Sequence, residues 1–175
     1  GHEEGEYACA YEAHQESCPE RASAENNHGQ SVCAGGHSPC DAQVDQSGIP
    51  ELQVEALGET TEEIVKEAHR LLKLPLKSKP VFKIPISNHG VQACRILTNE
   101  GHKVNNHLVY SLNQAYMAML AGAAYICPLA GRMHDQGQDA FALYGQIVNT
   151  IKNYGFKSKV MVSSVRHPEH VRQGL

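Results

Sequence analysis

Seven polar side chains stand where strand-like patterns place them within or just beyond a strand: Glu55, Lys83, Asn105, His107, Arg132, Ser164 and Arg166. Lys83 lies between Phe82 and Ile84. A lysine there must guard a sheet edge, extend its stem toward solvent, pair with an acid, or serve as a neutral amine that attacks a ketone carbonyl. At a reference pKa near 10.4 only about one lysine in a few thousand is neutral at pH 7, so imine chemistry needs burial or neighbouring cations. Glu55, in Leu52-Gln53-Val54-Glu55-Ala56, either faces solvent by alternation or positions a water and moves protons beside such an imine. Asn105 and His107 share one face of a strand and Asn106 takes the other. Both are either hydrogen-bonded core groups or working residues. Arg132 follows Cys127-Pro128-Leu129-Ala130-Gly131 and Arg166 follows Ser163-Ser164-Val165, each at the end of a predicted strand. They are either ordinary surface arginines or, with Ser164, an anion site suited to a sugar phosphate. His134 and Asp135 are adjacent and lack a third ligand at metal-binding spacing, so they read as solvated loop residues.

The elements that position these residues are β/α units. After about Pro50, short apolar runs alternate with segments of helical period, the pattern of a parallel sheet with crossover helices. Strands are predicted at 52–57, 81–86, 103–110, 124–129 and 159–164. The intervening helices start at Thr60, where Glu63 completes a capping box, at about His89, at Leu112, and after a polar loop over 131–138. A last helix begins at Pro168. Five units fit either an open doubly wound sheet or an interrupted β/α barrel, and periodicity alone does not choose. No Gly-rich phosphate loop follows any strand, and the polar residues sit in strands or at their C-terminal ends, as barrel enzymes require.

Residues 1–50 have a different composition. They hold nine acidic residues and one basic, against ten acidic and fourteen basic in the remainder, so net charge passes from −8 to +4. They contain no Leu, Phe, Met or Trp, and the strong core formers are Val32, Val44 and Ile49. Such a segment is expected to be irregular or disordered. Its Cys9, Cys18, Cys33 and Cys40, with His14, His28 and His37, lack the close Cys pair of a structural zinc site. Cys94 and Cys127 sit in apolar patterns and read as buried thiols. No Lys/Arg stripe with interleaved aromatics suggests nucleic acid. No apolar run of about 18 residues or basic-then-apolar leader suggests a membrane or secretion. A cytoplasmic location is the expectation.

Phe82-Lys83-Ile84-Pro85, Glu100-Gly101-His102-Lys103-Val104-Asn105, Tyr110-Ser111-Leu112-Asn113-Gln114-Ala115, Cys127-Pro128-Leu129-Ala130-Gly131-Arg132 and Ser163-Ser164-Val165-Arg166 resemble, in order and spacing, the strand motifs of transaldolases and fructose-6-phosphate aldolases. The resemblance covers about residues 51–175. It implies a TIM-type β/α barrel, incomplete here, with five units legible and the first two strands and last unit not recognisable. It implies that Lys83 forms a Schiff base with a ketose phosphate and transfers a dihydroxyacetone unit, as in the pentose phosphate pathway, with no metal or other cofactor. Glu55 then matches the acid that works through a water, Asn105 the asparagine on the substrate, and Arg132, Ser164 and Arg166 the phosphate binders. Implied substrates are fructose 6-phosphate, sedoheptulose 7-phosphate, erythrose 4-phosphate and glyceraldehyde 3-phosphate, with a homo-oligomer as the assembly. Glutamate rather than glutamine at position 55 favours transfer over simple cleavage. A fructose-6-phosphate-type aldolase and an inactive, sugar-phosphate-binding barrel are the alternatives. His107 stands where most members have the threonine that holds a catalytic water, and reads as altered catalytic equipment. Leu129 stands where an aromatic is common. The family's acid/base aspartate and its Thr-Asn-Pro segment are not recognisable in residues 1–50. An open barrel of this kind exposes strand edges and is expected to be poorly stable alone.

Overall fold

The computed structural model describes residues 50 to 174, Pro75 excepted. The N-terminal cysteines and histidines lie outside the described residues, as does the expected irregularity of that segment. The described chain alternates strands and helices from β1 (Glu51–Glu55) and α1 (Thr61–Leu71) through β2 (Lys79–Pro85), α2 (Asn88–Asn99), β3 (Lys103–Val109) and α3 (Leu112–Ala121). It continues with β4 (Tyr125–Pro128), α4 (Ala130–Asp135), α5 (Ala140–Tyr154), β5 (Lys159–Val160) and α6 (Pro168–Gly174). The helix starts follow local chemistry. Thr60 and Glu63 form the capping box of α1, while Ser87, Ser111 and Asp139 accept a backbone N–H at the starts of α2, α3 and α5. Gly122 and Gly155 end α3 and α5 in the left-handed conformation that favours glycine.

All neighbouring strands are parallel, in the order β1-β2-β3-β4-β5. That order decides between the two architectures the periodicity allowed. A doubly wound sheet reverses its strand order at a switch point, whereas consecutive addition is how a β/α barrel grows. The sheet is curled but not closed: among the described residues β1 and β5 are its edges. On the concave face the Gln53 amide reaches the Met161 sulfur at 3.8 Å, and the Tyr125 hydroxyl donates to Glu51 at 2.7 Å, spanning strands that are not neighbours.

Alternation assigns the two faces. Leu52, Val54, Phe82, Ile84, Val104 and Ile126 form one apolar cluster with Ile64, Ala68, Cys94, Leu97, Ala115, Ala118, Leu143 and Ile147 of the helices. The core therefore lies between the sheet and the helical layer. The opposite face carries Glu55, Lys83 and Asn105, which sit side by side in register. The edge-strand alternative for Lys83 does not hold, because β2 is flanked by β1 and β3. Cys94 and Cys127 are buried thiols. Phe82 is fully buried in the core, and Phe82→Ala is expected to cost about 3–5 kcal/mol in urea unfolding. A loss under about 1 kcal/mol would contradict the core assignment.

Two sequence expectations are corrected. Residues 131–135 of the expected polar loop are helical, because Leu129, Ala130 and Met133 bury a short apolar stripe between the polar side chains. The strand expected at 159–164 pairs only over Lys159–Val160, with one further bridge at Leu129–Ser163. Its partner β4 ends at Pro128, which has no N–H for the ladder. Pairing resumes where Ala130 N–H donates to the Ser163 carbonyl and Gly131 N–H to that of Ser164, each at 3.0 Å.

Candidate active site

At the C-terminal ends of the strands, Glu55, Lys83, His107, Leu108, Leu129, Arg132 and Ser164 line a pocket of about 130 Å³. Five of the seven residues singled out from the sequence thus lie around one cavity. Glu55 ends β1 and its Cα pairs with that of Lys83, so the sheet register sets their proximity. Lys83 Nζ lies 3.7 Å from Glu55 Oε1, with the lysine side chain 21% exposed and the glutamate 39%. At that exposure the pair adds little to stability. Its value is a carboxylate held beside an amine.

His107 pairs in register with Pro85 and Cys127 and is buried. Burial, with the nearby Lys83 and Arg132 cations, pushes its pKa down to about 3. The ring is therefore neutral at physiological pH and acts through a lone pair or an N–H, not as an imidazolium. Its Nε2 is buried without a hydrogen-bond partner among the described residues. The sign of the stability effect follows. Between the ordinary value of 6.5 and about 3, the unfolded chain takes up a proton that the folded chain refuses, so stability is lost as pH falls through that window. The slope is at most about 1.4 kcal/mol per pH unit. His107→Thr is expected to flatten the decline of urea stability between about pH 6.5 and 4.5. An unchanged slope would show that the imidazole is not the titrating group.

Arg132, on α4, lines the pocket. Arg166 does not; its guanidinium pairs with Asp135 at the end of α4. Ser164 lines the pocket with φ at 56°, and Leu108 does so with φ at 60°, beside the register shift in β3 between His107 and Val109. Left-handed backbone at a non-glycine residue is strained and persists where the surroundings impose it. Here it occurs twice around one cavity. Gly131 lets the two loops meet: a Cβ there would lie 2.4 Å from the Ser164 carbonyl oxygen and 2.6 Å from Arg166 Nε.

Asn105 is fully buried one position below, beside Lys83 in register and outside the pocket lining. Its Nδ2 donates to Gln53 Oε1 at 2.7 Å, and its Oδ1 has no hydrogen-bond partner among the described residues. Asn106 faces the core, donating to the Ile84 carbonyl at 3.3 Å.

His134 and Asp135, expected to be solvated loop residues, are exposed but lie on α4 and have partners: Asp135 pairs with Arg166, and His134 Nδ1 lies 2.9 Å from His170 Nε2. Among the described residues His134, His167 and His170 are the group able to hold a metal, their ligand atoms within 4.8 Å of one another. The hydrogen bonds commit the lone pairs of His134 Nδ1 and His170 Nδ1 otherwise. The Arg166 N–H donates to His170 Nδ1 at 3.3 Å, so Nε2 carries the proton and donates it to His134. A cation ligated at Nε2 would have to displace that proton, against the nearby charge of Arg166, which with burial and its histidine neighbours holds the His170 pKa below the ordinary value.

Sequence reasoning missed Gln53, Leu108 and Tyr144. Gln53 shares the alternation of Glu55 and was legible as a concave-face residue. The bulge at Leu108 and the buried hydroxyl of Tyr144 had no local signal.

Residues 6–175 match the model of the family Transaldolase/Fructose-6-phosphate aldolase. A protein named probable transaldolase from Methanococcus maripaludis strain C7 is 42% identical over 120 residues, covering 69% of this chain and 55% of the relative. Another of that name, from Anaeromyxobacter dehalogenans strain 2CP-C, is 49% identical over 94 residues, covering 54% of this chain and 43% of the relative. A third, from Dictyoglomus turgidum, is 40% identical over 120 residues, covering 69% and 55%. The chain spans about half the length of the curated relatives it matches. No helix among the described residues is long and apolar enough to cross a membrane. With a parallel β/α sheet, a lysine beside a carboxylate at the strand ends, and a family match across residues 6–175, the chain belongs to the transaldolase/fructose-6-phosphate aldolase family.

Proposed function

We propose that Lys83 is the imine-forming residue of a transaldolase that moves a dihydroxyacetone unit between ketose and aldose phosphates. The observation that supports this most is the gathering of Lys83, Glu55, His107, Arg132 and Ser164 around one pocket, with amine and carboxylate 3.7 Å apart.

In this reading the neutral Lys83 amine attacks C2 of fructose 6-phosphate or sedoheptulose 7-phosphate, and loss of water gives the protonated imine. The C4 hydroxyl gives its proton to Glu55 through a water, the C3–C4 bond breaks, and its electron pair moves into the imine to leave an enamine. The aldose phosphate departs. The enamine carbon then adds to the carbonyl of the acceptor, erythrose 4-phosphate or glyceraldehyde 3-phosphate, and water releases the product ketose from Lys83. The protonated imine is the electron sink, so no metal is required. His107, neutral beside Lys83, holds or passes a proton in place of a hydroxyl. Asn105 offers its unpartnered Oδ1 to the bound substrate. Arg132 and Ser164 take the phosphate, and Arg166 joins them when its bond to Asp135 gives way to the stronger anion.

The nearby carboxylate of Glu55 supports catalysis over an inactive barrel. Transferase and aldolase separate by the acceptor. With fructose 6-phosphate and erythrose 4-phosphate supplied together, the reading expects sedoheptulose 7-phosphate and glyceraldehyde 3-phosphate in equal amounts. Free dihydroxyacetone in their place would assign an aldolase, and no turnover with either would refute catalysis by this chain.

A further inference from the structure

The buried hydroxyl of Tyr144 touches neither Lys83 nor the pocket lining, yet it joins the two segments that carry the arginines and Ser164. Tyr144 projects from α5 and is 6% exposed. Its hydroxyl donates to the Pro128 carbonyl at 2.7 Å and accepts the Ser163 N–H at 3.3 Å. Burial pushes the phenol pKa up, so the group is a hydroxyl, able to donate and accept at once. Pro128 ends β4, four residues before Arg132, and Ser163 precedes Ser164.

We propose that Tyr144 is the positioning residue for the anion-binding end of this pocket, its hydroxyl locking the segment that holds Ser164 and Arg166 against the start of α4. The proposal rests on the phosphate-site reading above and deepens it. Three observations carry it. First, the β4–β5 ladder is only two residue pairs long. Beyond it Ser163 and Ser164 are tied to β4 and α4 by one bridge, by the Ala130 and Gly131 N–H groups and by the Ser163 hydroxyl on the Pro128 carbonyl. The Tyr144 hydroxyl is what ties this junction to α5. Second, Ser164 keeps a left-handed φ of 56°, which its own side chain does not favour. Third, there is no slack between the loops, since a single methyl group at Gly131 would fall 2.4 Å from the Ser164 carbonyl oxygen. A phenylalanine at 144 fills the same space but leaves the buried Ser163 N–H without its acceptor. The segment keeps its bonds to Pro128, Ala130 and Gly131 but loses its tie to α5, and with no slack at Gly131 even a small shift changes the separation of Arg132 from Ser164 and Arg166.

The test is Tyr144→Phe, with two readouts on the intact chain. Calorimetric titration with inorganic phosphate is expected to show affinity weakened about tenfold or more. Borohydride trapping of unphosphorylated dihydroxyacetone on Lys83 is expected to change by less than about twofold, since that chemistry sits on β2. In turnover the KM for fructose 6-phosphate rises while kcat holds. Unchanged phosphate affinity overturns the proposal. So does an equal fall in both readouts, or a variant that no longer folds, because the hydroxyl would then serve the fold and not the site. The unsubstituted protein separates the two levels: no dihydroxyacetone adduct on Lys83 refutes the imine reading, while the phosphate titration still decides the role of Tyr144.

Discussion

Lys83→Ala is expected to lower transaldolase turnover by about 10⁴-fold or more, equivalent to roughly 5 kcal/mol of barrier, with the fold intact. Three features of the site set that expectation. In the proposed mechanism the amine is the nucleophile, so its removal closes the covalent route instead of weakening it. It stands on the concave face of an interior strand with its side chain 21% exposed, so a truncated side chain leaves space beside the pocket and no hole in the core behind the sheet. Among the described residues no other lysine lines the pocket, so none of them places a second amine there. Glu55→Gln is expected to cost about 10²–10³-fold, the contribution of a positioned proton acceptor, while leaving imine formation detectable. Steady-state rates on purified variants, with circular dichroism as the check on folding, decide both. A Lys83→Ala protein within about tenfold of the unsubstituted rate would remove the covalent mechanism.

Arg132→Ala is expected to raise the KM for fructose 6-phosphate about 10- to 100-fold, as removing a charge-assisted contact worth about 1.5–3 kcal/mol requires. Binding of unphosphorylated dihydroxyacetone should be nearly unaffected. Arg132 is the arginine that already lines the pocket, whereas Arg166 is paired with Asp135 and gains a phosphate contact only by exchanging partners. Arg166→Ala is therefore expected to have the smaller effect. KM values for phosphorylated substrate, set against dihydroxyacetone affinity, test this. Equal losses for both ligands would place Arg132 in folding or in the carbon chemistry instead of at the phosphate.

The sequence made the alternation of strands and helices readable because most of the signals are local: a capping box at Thr60 and Glu63, glycines after helices, and two-residue alternation that put Asn105 and His107 on one face of their strand. The choice of barrel over doubly wound sheet was not local. It depends on which strands pair; the lack of a Gly-rich phosphate loop and the polar residues at the strand ends leaned toward a barrel, and the family resemblance implied one. The short helix at Ala130–Asp135 was hidden because one and a half turns show too little period against Arg132, His134 and Asp135. The shortened β5 was hidden because its cause lies in the partner strand, where Pro128 ends the ladder. The contact of His134 with His170 was hidden because the two are 36 residues apart. Tyr144 fell within the apolar stripe of α5, and nothing in that stripe tells that its hydroxyl reaches Pro128 and Ser163.

The central claim is that the amine of Lys83 bonds covalently to substrate carbon. Reduction with borohydride in the presence of fructose 6-phosphate, followed by peptide mass mapping, tests it most directly. A dihydroxyacetone- or hexose-derived mass on the peptide containing Lys83, absent from Lys83→Ala, is the predicted result. No adduct, or one that persists after that substitution, would contradict it.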